Sequence, residues 1–129
     1  MGEGIVNYKK FKELPCWIKA RELSQAVYKL INLSAFKRDF SLRNQIWDAS
    51  GSVMDNVAEG FDDGSTKEFI RFLGYSQRSC SEVQSQLYRA IDCEYISNEQ
   101  FDHAYELASE CRKQIKGLRK YLRDYDSKK

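Results

Sequence analysis

The chain contains few residues that interrupt helices. Pro15 is the only proline among 129 residues, whereas charged residues make up 31% and aromatic residues 13% of the sequence. Because proline breaks helices and turn-rich β folds need many turn residues, this composition suits long uninterrupted helices. The length suits one domain with a core of its own. The composition therefore predicts an all-α, single-domain protein.

The chain also lacks the patterns of metal and redox sites. His103 is the only histidine and has no partner at ligand spacing, and none of the four cysteines forms a C-x-x-C pair. We therefore predict no metal, no cofactor and no disulfide framework, and a reducing cytoplasm as the compartment. The cysteines are Cys16, Cys80, Cys93 and Cys111.

Signals for export or membrane insertion are missing from the sequence as well. No apolar run reaches the length that a membrane-spanning helix needs, and no basic segment is followed by a signal-type apolar segment. These absences argue against secretion and membrane spanning. We therefore expect no membrane partner.

The apolar residues repeat at the helical period in four segments. Pro15 suits the first turn of a helix, Ser41 is a candidate N-cap, and Ser65 and Ser97 each begin a capping box with an acid or amide three residues later. Gly60 is a candidate left-handed stop. We predict helices over residues 15–33, 41–59, 65–92 and 97–124, joined by short loops into an antiparallel up-down-up-down four-helix bundle.

The second predicted helix carries two apolar stripes. Positions 42, 46, 49, 53 and 57 form a core stripe, and a second stripe lies about one residue further around the helix. One stripe per helix fills a bundle core, so the second predicts an interface between copies; the alternative is that loops or a helix rotation cover it within one subunit. The interface candidates are Trp47, Gly51, Met54, Ala58 and Phe61.

The charge is concentrated at the end of the chain. Residues 112–129 hold eight Lys or Arg and two Asp, a net charge of +6, whereas the whole chain carries +2. Such a basic segment predicts contacts with nucleic-acid phosphates, although basic residues near a helix C-terminus also complement the helix dipole. The candidates are Arg112, Lys113, Lys116, Arg119, Lys120 and Arg123.

A third group of polar residues lies around the turn between the second and third predicted helices. Glu59 is expected to pair with Lys67 or Arg71 and to lock this turn, with an acid–base role as the alternative. Asn56 is expected to specify register. Glu82 belongs to a candidate polar seam with Gln45, Ser52, Ser79 and Gln86.

The sequence shows no catalytic constellation around these polar residues. It contains no paired carboxylates with a nearby histidine, no nucleophile–base arrangement and no glycine-rich phosphate loop. We therefore predict no catalytic residues and a protein that is not an enzyme.

Several motifs together resemble one family. They include Phe11-x-x-Leu14-x-x-Trp17, the run Asn56-Val57-Ala58-Glu59-Gly60, and Lys67-x-Phe69-x-x-Phe72-Leu73. The chain resembles the four-helix-bundle proteins encoded in intervening sequences of bacterial 23S rRNA genes, also called the S23 ribosomal protein family. It departs from that pattern at Met54, where relatives often have proline, and at Arg78, which replaces a common glycine.

This family is similar in fold to the accessory variability proteins of diversity-generating retroelements. Those proteins form barrel-shaped pentamers whose basic surface engages nucleic acid and a reverse transcriptase. The resemblance thus implies a homo-oligomer, in the form of a pentameric ring, that contacts RNA or DNA. The alternative function is a protein-binding adaptor, such as an accessory subunit of a reverse transcriptase or another nucleic-acid enzyme.

Overall fold

The computed structural model describes residues 8–128, and this part of the chain is helical without any strand. Four long helices and one short helix follow a 3₁₀ turn at Phe11–Glu13. The all-α prediction is confirmed. The helices are α1 (Pro15–Ile31), α2 (Ser34–Lys37), α3 (Phe40–Asp63), α4 (Thr66–Asp92) and α5 (Asn98–Ser127).

The four long helices form an antiparallel bundle. Helix α1 packs against α3 and α5, and α4 packs against the same two helices. Between α4 and α5, the Gln84 amide donates to the Ser109 hydroxyl at 2.8 Å, and Arg119 Nε donates to the Ile70 carbonyl at 3.0 Å. Residue numbers therefore rise along α4 as they fall along α5. This arrangement confirms the predicted up-down-up-down topology.

The core is an aliphatic seam that runs along the bundle axis. The predicted core stripe of α3 is buried, and Leu23, Leu73 and Ile115 are fully buried on the other three long helices. Phe36 closes one end of the seam, packing on the Tyr95 ring with centroids 5.4 Å apart. Phe36 lies on the short helix α2, within the segment that the predicted helices leave as a loop between residues 33 and 41.

The helix starts follow local capping chemistry. Ser97 forms the predicted capping box, since its hydroxyl accepts from Gln100 N at 3.1 Å and Gln100 Oε1 accepts from Ser97 N at 2.8 Å. Ser65 forms half of one: its hydroxyl accepts from Glu68 N at 3.3 Å, but the Glu68 carboxylate binds Arg71 instead of returning to the cap. Pro15 occupies the first turn of α1, as predicted.

The predicted bounds of α3 are wrong at both ends. The helix begins after Asp39, whose carboxylate accepts from Leu42 N at 3.0 Å and replaces Ser41 as the cap. It continues through Gly60 to Asp63, and Gly64, with φ of +83°, takes the left-handed position. Gly60 serves close packing instead: a Cβ placed there would lie 2.8 Å from the Cβ of Phe72 on α4.

Candidate nucleic-acid interface

The basic residues of α5 lie on the outer side of the bundle. Arg112, Lys116, Arg119 and Arg123 are spaced by four, three and four residues, so they share one face of the helix. Within the described chain, only Lys120 among the predicted basic residues forms an ion pair, at 3.3 Å to Asp124. The exposed residues without an acidic partner are Arg112, Lys113, Lys116 and Arg123.

Arg119 differs from its neighbours because its side chain turns inward and joins two helices. Its Nε donates to the Ile70 carbonyl at 3.0 Å, and one terminal nitrogen donates to Gln77 Oε1 at 3.3 Å. The guanidinium lies against Gly74, where an added Cβ would be 2.7 Å from Nη2. Arg119 therefore contributes to the packing of α4 on α5 as well as to the surface charge.

The surroundings of Arg119 are positively charged. Partial burial, followed by the nearby charges of Arg123 and Arg78, lowers the pKa of its guanidinium. The helix spacing agrees with this, since Arg123 lies one turn from Arg119 on α5 and Arg78 lies one turn from Gly74, which Arg119 contacts.

Helix α4 adds an arginine–tyrosine stripe to this surface. The Tyr75 ring lies 5.5 Å from the guanidinium carbon of Arg71 and 5.0 Å from that of Arg78. Arg71 also donates to the Tyr75 hydroxyl at 2.9 Å and forms an ion pair with Glu68 at 2.6 Å. Tyr75 and Arg78 were not among the residues predicted for this site. They follow Arg71 by four and seven residues, and this spacing places all three on one helix face and could have identified the stripe.

The structure contradicts the predicted lock at Glu59. Glu59 and Lys67 are both exposed, and neither forms an ion pair with any residue in the described part of the chain. Arg71 has Glu68 as its partner instead, one turn earlier on the same helix. Arg71 and Glu68 lie on one helix, so their ion pair does not depend on the relative position of two helices. This short-range pair therefore forms in place of one with Glu59.

The predicted polar seam between α3 and α4 is reduced to one contact. Arg89 donates to Gln45 Oε1 at 3.1 Å, while the Asn56 amide donates to the Ser52 carbonyl of its own helix at 2.8 Å. Glu82 is exposed, and Gln86 Oε1 is buried with no hydrogen-bond partner among the described residues. Glu82 therefore does not join the predicted polar seam, and the hydrogen bond of Asn56 stays within α3.

Part of the second stripe of α3 is covered by the rest of the bundle. Met54 and Phe61 pack against the core, and the rings of Phe61 and Phe69 lie 6.0 Å apart. Trp47 stays 42% exposed, and its ring packs on that of Tyr28 of α1 with centroids 5.8 Å apart. Gly51 faces open space, and Ala58 is half-buried.

A groove of about 570 Å³ follows this stripe between α1 and α3. Tyr28, Trp47 and Met54 supply its apolar walls, and Arg21 and Lys29 lie at its edge. The stripe is therefore still an open surface at its Trp47 end.

The cysteines do not form a reactive site. Cys16, Cys80 and Cys111 are buried, and burial raises the pKa of the Cys16 thiol to about 12. Hydrogen bonding to Cys80, followed by burial, raises the pKa of Cys111. The Cys16 and Cys111 thiols therefore stay protonated at neutral pH, and all three buried cysteines act as small core residues.

Within residues 8–128, no group of acidic, histidine or cysteine side chains is arranged to hold a metal ion. No helix there has the length and apolarity needed to cross a membrane.

Fold and surface together define a small antiparallel four-helix bundle with a basic edge formed by α4 and α5. The chain belongs to the family of 23S rRNA-intervening sequence proteins, whose family model matches residues 12–117. Arg119 and Arg123 lie beyond the matched residues.

A solved structure shares this fold. It is a protein of unknown function from the S23 ribosomal protein family of Bacteroides thetaiotaomicron, with a TM-score of 0.74 and 23% sequence identity. The similarity covers 81% of this chain and 98% of that one. A search of curated proteins found no match.

Proposed function

We propose that this protein is a non-enzymatic, self-associating bundle that contacts RNA or DNA through the phosphates facing α5. The observation that carries the proposal is a set of four exposed cations on α5 that have no acidic partner within residues 8–128: Arg112, Lys113, Lys116 and Arg123. Cations that no carboxylate neutralises are free to replace the counterions of a nucleic-acid backbone.

The geometry of these residues supports a linear anionic ligand. From Arg112 to Arg123 a helix rises about 16 Å at roughly 1.5 Å per residue, so the cations form a row and not a point. A row suits successive phosphates, and phosphate contacts carry little sequence information. We therefore propose binding that is largely independent of sequence.

The open Trp47 end of the α1–α3 groove supports self-association. Trp47 and Tyr28 are 42% and 57% exposed, and both belong to helices that also build the core. An apolar surface of this kind is stabilised when a second copy covers it. The resemblance to the accessory variability proteins implies a ring of five copies. A reducing cytoplasm suits the four free thiols.

The proposal is tested by measuring how binding depends on salt. Fluorescence anisotropy with labelled single-stranded RNA and with duplex DNA, between about 50 and about 200 mM KCl, gives the affinity and its salt slope. We expect Arg112→Gln with Lys116→Gln to weaken binding to both probes and to all sequences alike.

A matched control removes the same charges elsewhere. Lys37 and Arg38 are exposed and lie at the end of the bundle closed by Phe36, far from the α5 cations. Lys37→Gln with Arg38→Gln should leave the salt slope unchanged. If the wild type binds neither probe at low salt, or if both double variants lose affinity equally, the proposal is wrong. The adaptor function would then become the better one.

A further inference from the structure

On the basic edge, Arg119 of α5 has one further arginine near it on each helix, Arg78 on α4 and Arg123 on α5. Among residues 8–128, none of these three arginines forms an ion pair. We propose that these three side chains form a single site for a phosphate group of a nucleic-acid backbone, with Arg119 at its centre. This inference rests on the proposed function and names the place where α4 and α5 together hold the ligand.

Arg119 is fixed before any ligand arrives. The Ile70 carbonyl and the Gln77 amide oxygen each accept one hydrogen bond from its guanidinium, and Gly74 leaves the space in which the group lies. A guanidinium has five N–H donors, and the hydrogen bonds in the structure use two of them. The remaining donors are available to an anion, and a group held this firmly loses little entropy when it binds.

Arg78 is positioned as well. Its guanidinium carbon lies 5.0 Å from the centre of the Tyr75 ring, and the Tyr75 hydroxyl accepts a hydrogen bond from Arg71. Arg71 is itself neutralised by Glu68, so Arg78 is the cation of this stripe whose charge stays uncompensated. Stacking on an aromatic ring orients an arginine and leaves its donors for a ligand.

The sequence spacing places Arg78 and Arg123 next to Arg119. Arg78 follows Gly74, which Arg119 touches, by one turn of α4, and Arg123 follows Arg119 by one turn of α5. Because α4 and α5 are antiparallel, the two arginines flank Arg119 on opposite sides along the bundle axis. Burial, followed by the charges of Arg123 and Arg78, lowers the pKa of Arg119. Three neighbouring cations repel one another, and a bound anion relieves that repulsion.

Phosphate fits this site better than a carboxylate-bearing protein partner. Guanidinium groups bind phosphate and carboxylate oxygens alike in pairs. The site continues into the row formed by Arg112 and Lys116, and this row suits a polyanion of regular charge spacing. An acidic peptide is the competing occupant, and polyglutamate represents it in the experiment.

The test removes the two exposed arginines and leaves the structural one in place. Arg78→Gln with Arg123→Gln should lower the salt slope for single-stranded RNA by about 0.7 for each lost phosphate contact, and that for duplex DNA by about 0.9. Arg38→Gln with Arg43→Gln removes the same charge near the opposite end of the bundle and should leave both slopes unchanged. Circular dichroism checks that each variant is folded.

The outcomes separate this inference from the proposed function. If the wild type binds no nucleic acid, the proposed function fails. If Arg112→Gln with Lys116→Gln weakens binding while Arg78→Gln with Arg123→Gln behaves like its control, the three-arginine site is wrong and the proposed function stands. Displacement of the RNA probe by polyglutamate as efficiently as by polyphosphate of equal charge would overturn the assignment to phosphate.

A last variant examines the centre of the site. Arg119→Lys keeps the charge but loses the planar guanidinium, which donates hydrogen bonds to the Ile70 carbonyl and to the Gln77 amide oxygen. We expect weaker RNA binding than the wild type even at a temperature where the variant is fully folded. Wild-type affinity of this folded variant would contradict a fixed guanidinium at the centre of the site.

Discussion

The Ser76 hydroxyl donates a 2.6 Å hydrogen bond to the backbone carbonyl of Val53, and this bond joins α4 to α3 inside the core. Both residues are fully buried. A buried hydroxyl is costly unless it has a partner, and a larger side chain at position 76 would hold the helices apart. The bond and the close approach of the two helices therefore depend on each other.

Replacing Ser76 by alanine should lower stability. We expect Ser76→Ala to reduce the free energy of unfolding by about 1 kcal/mol, because the interhelical bond is lost. Ser81→Ala is the control, since the Ser81 hydroxyl is exposed and bonds to Gln77 of its own helix at 3.5 Å; its effect should stay within about 0.5 kcal/mol. Urea unfolding followed by circular dichroism measures both, and equal values for the two variants would contradict the prediction.

Two glycines in helix interiors should respond oppositely to alanine. A Cβ at Gly60 would lie 2.8 Å from the Phe72 Cβ and 2.9 Å from a ring carbon of Phe69, whereas a Cβ at Gly117 meets nothing within 4 Å. Gly60→Ala should destabilise the protein by about 1 to 3 kcal/mol through overpacking. Gly117→Ala should stabilise it by about 0.5 to 1 kcal/mol through helix propensity. Thermal unfolding distinguishes the two signs, and a stabilising Gly60→Ala would show that α3 and α4 separate easily there.

The fold was predictable from the sequence where short-range spacing decides it. The capping box at Ser97 and the core stripe of α3 need only residues within one or two turns, and the structure contains both. The end of α3 was not predictable in this way. A glycine that follows an apolar stripe can either end the helix in a left-handed conformation or allow a neighbouring helix to approach closely. For Gly60, the position of Phe72 on the next helix shows that it allows close approach.

The candidate site was predictable in charge and not in geometry. Spacing along α5 places its cations on one face, but the inward turn of Arg119 depends on the space at Gly74 of another helix. The pairing of Arg71 with Glu68, three residues earlier on the same helix, is by contrast a contact that sequence spacing could have indicated in place of Glu59. Contacts between helices, such as that of Arg119 with Gly74, depend on packing, which sequence spacing does not describe.

Asp39 should make stability depend on acid pH. Hydrogen bonds from Leu42 N at 3.0 Å and from the Tyr95 hydroxyl at 2.9 Å lower its pKa below the ordinary value of 3.8. A carboxyl group with a lowered pKa in the folded state stabilises the fold above its unfolded pKa and loses this contribution as the pH falls through the folded pKa. The contribution is therefore complete above the unfolded value of 3.8 and is lost below it.

The pH dependence is tested with a neutral isostere. Between about pH 5 and about pH 2, the melting temperature should fall further for the wild type than for Asp39→Asn, because the other carboxyl groups titrate in both proteins. Tyr95→Phe, which removes the second of the two bonds, should lie between them. If the melting temperatures of the wild type and Asp39→Asn fall in parallel with pH, the hydrogen bonds to Asp39 do not favour its charged form over its protonated form.

The exposed Trp47 end of the α1–α3 groove should determine the assembly state. Met54 packs against the core, so a charge at that position would damage the fold and the interface together, whereas Trp47 is 42% exposed and can be changed separately. Trp47→Glu places a charge on the apolar surface that a second copy would bury, which opposes association. We expect a smaller species in sedimentation velocity with the helical content of the wild type.

Tyr88 supplies a matched control for this experiment. It is 51% exposed on α4 and packs against Phe101 and Tyr105, away from the groove between α1 and α3. Tyr88→Glu should therefore leave the size of the assembly unchanged. If Trp47→Glu sediments like the wild type, or if the wild type is already monomeric at micromolar concentration, the groove is no interface between copies. The stripe would then be a wide face of α3 that α1 covers only in part, and the ring would need another surface.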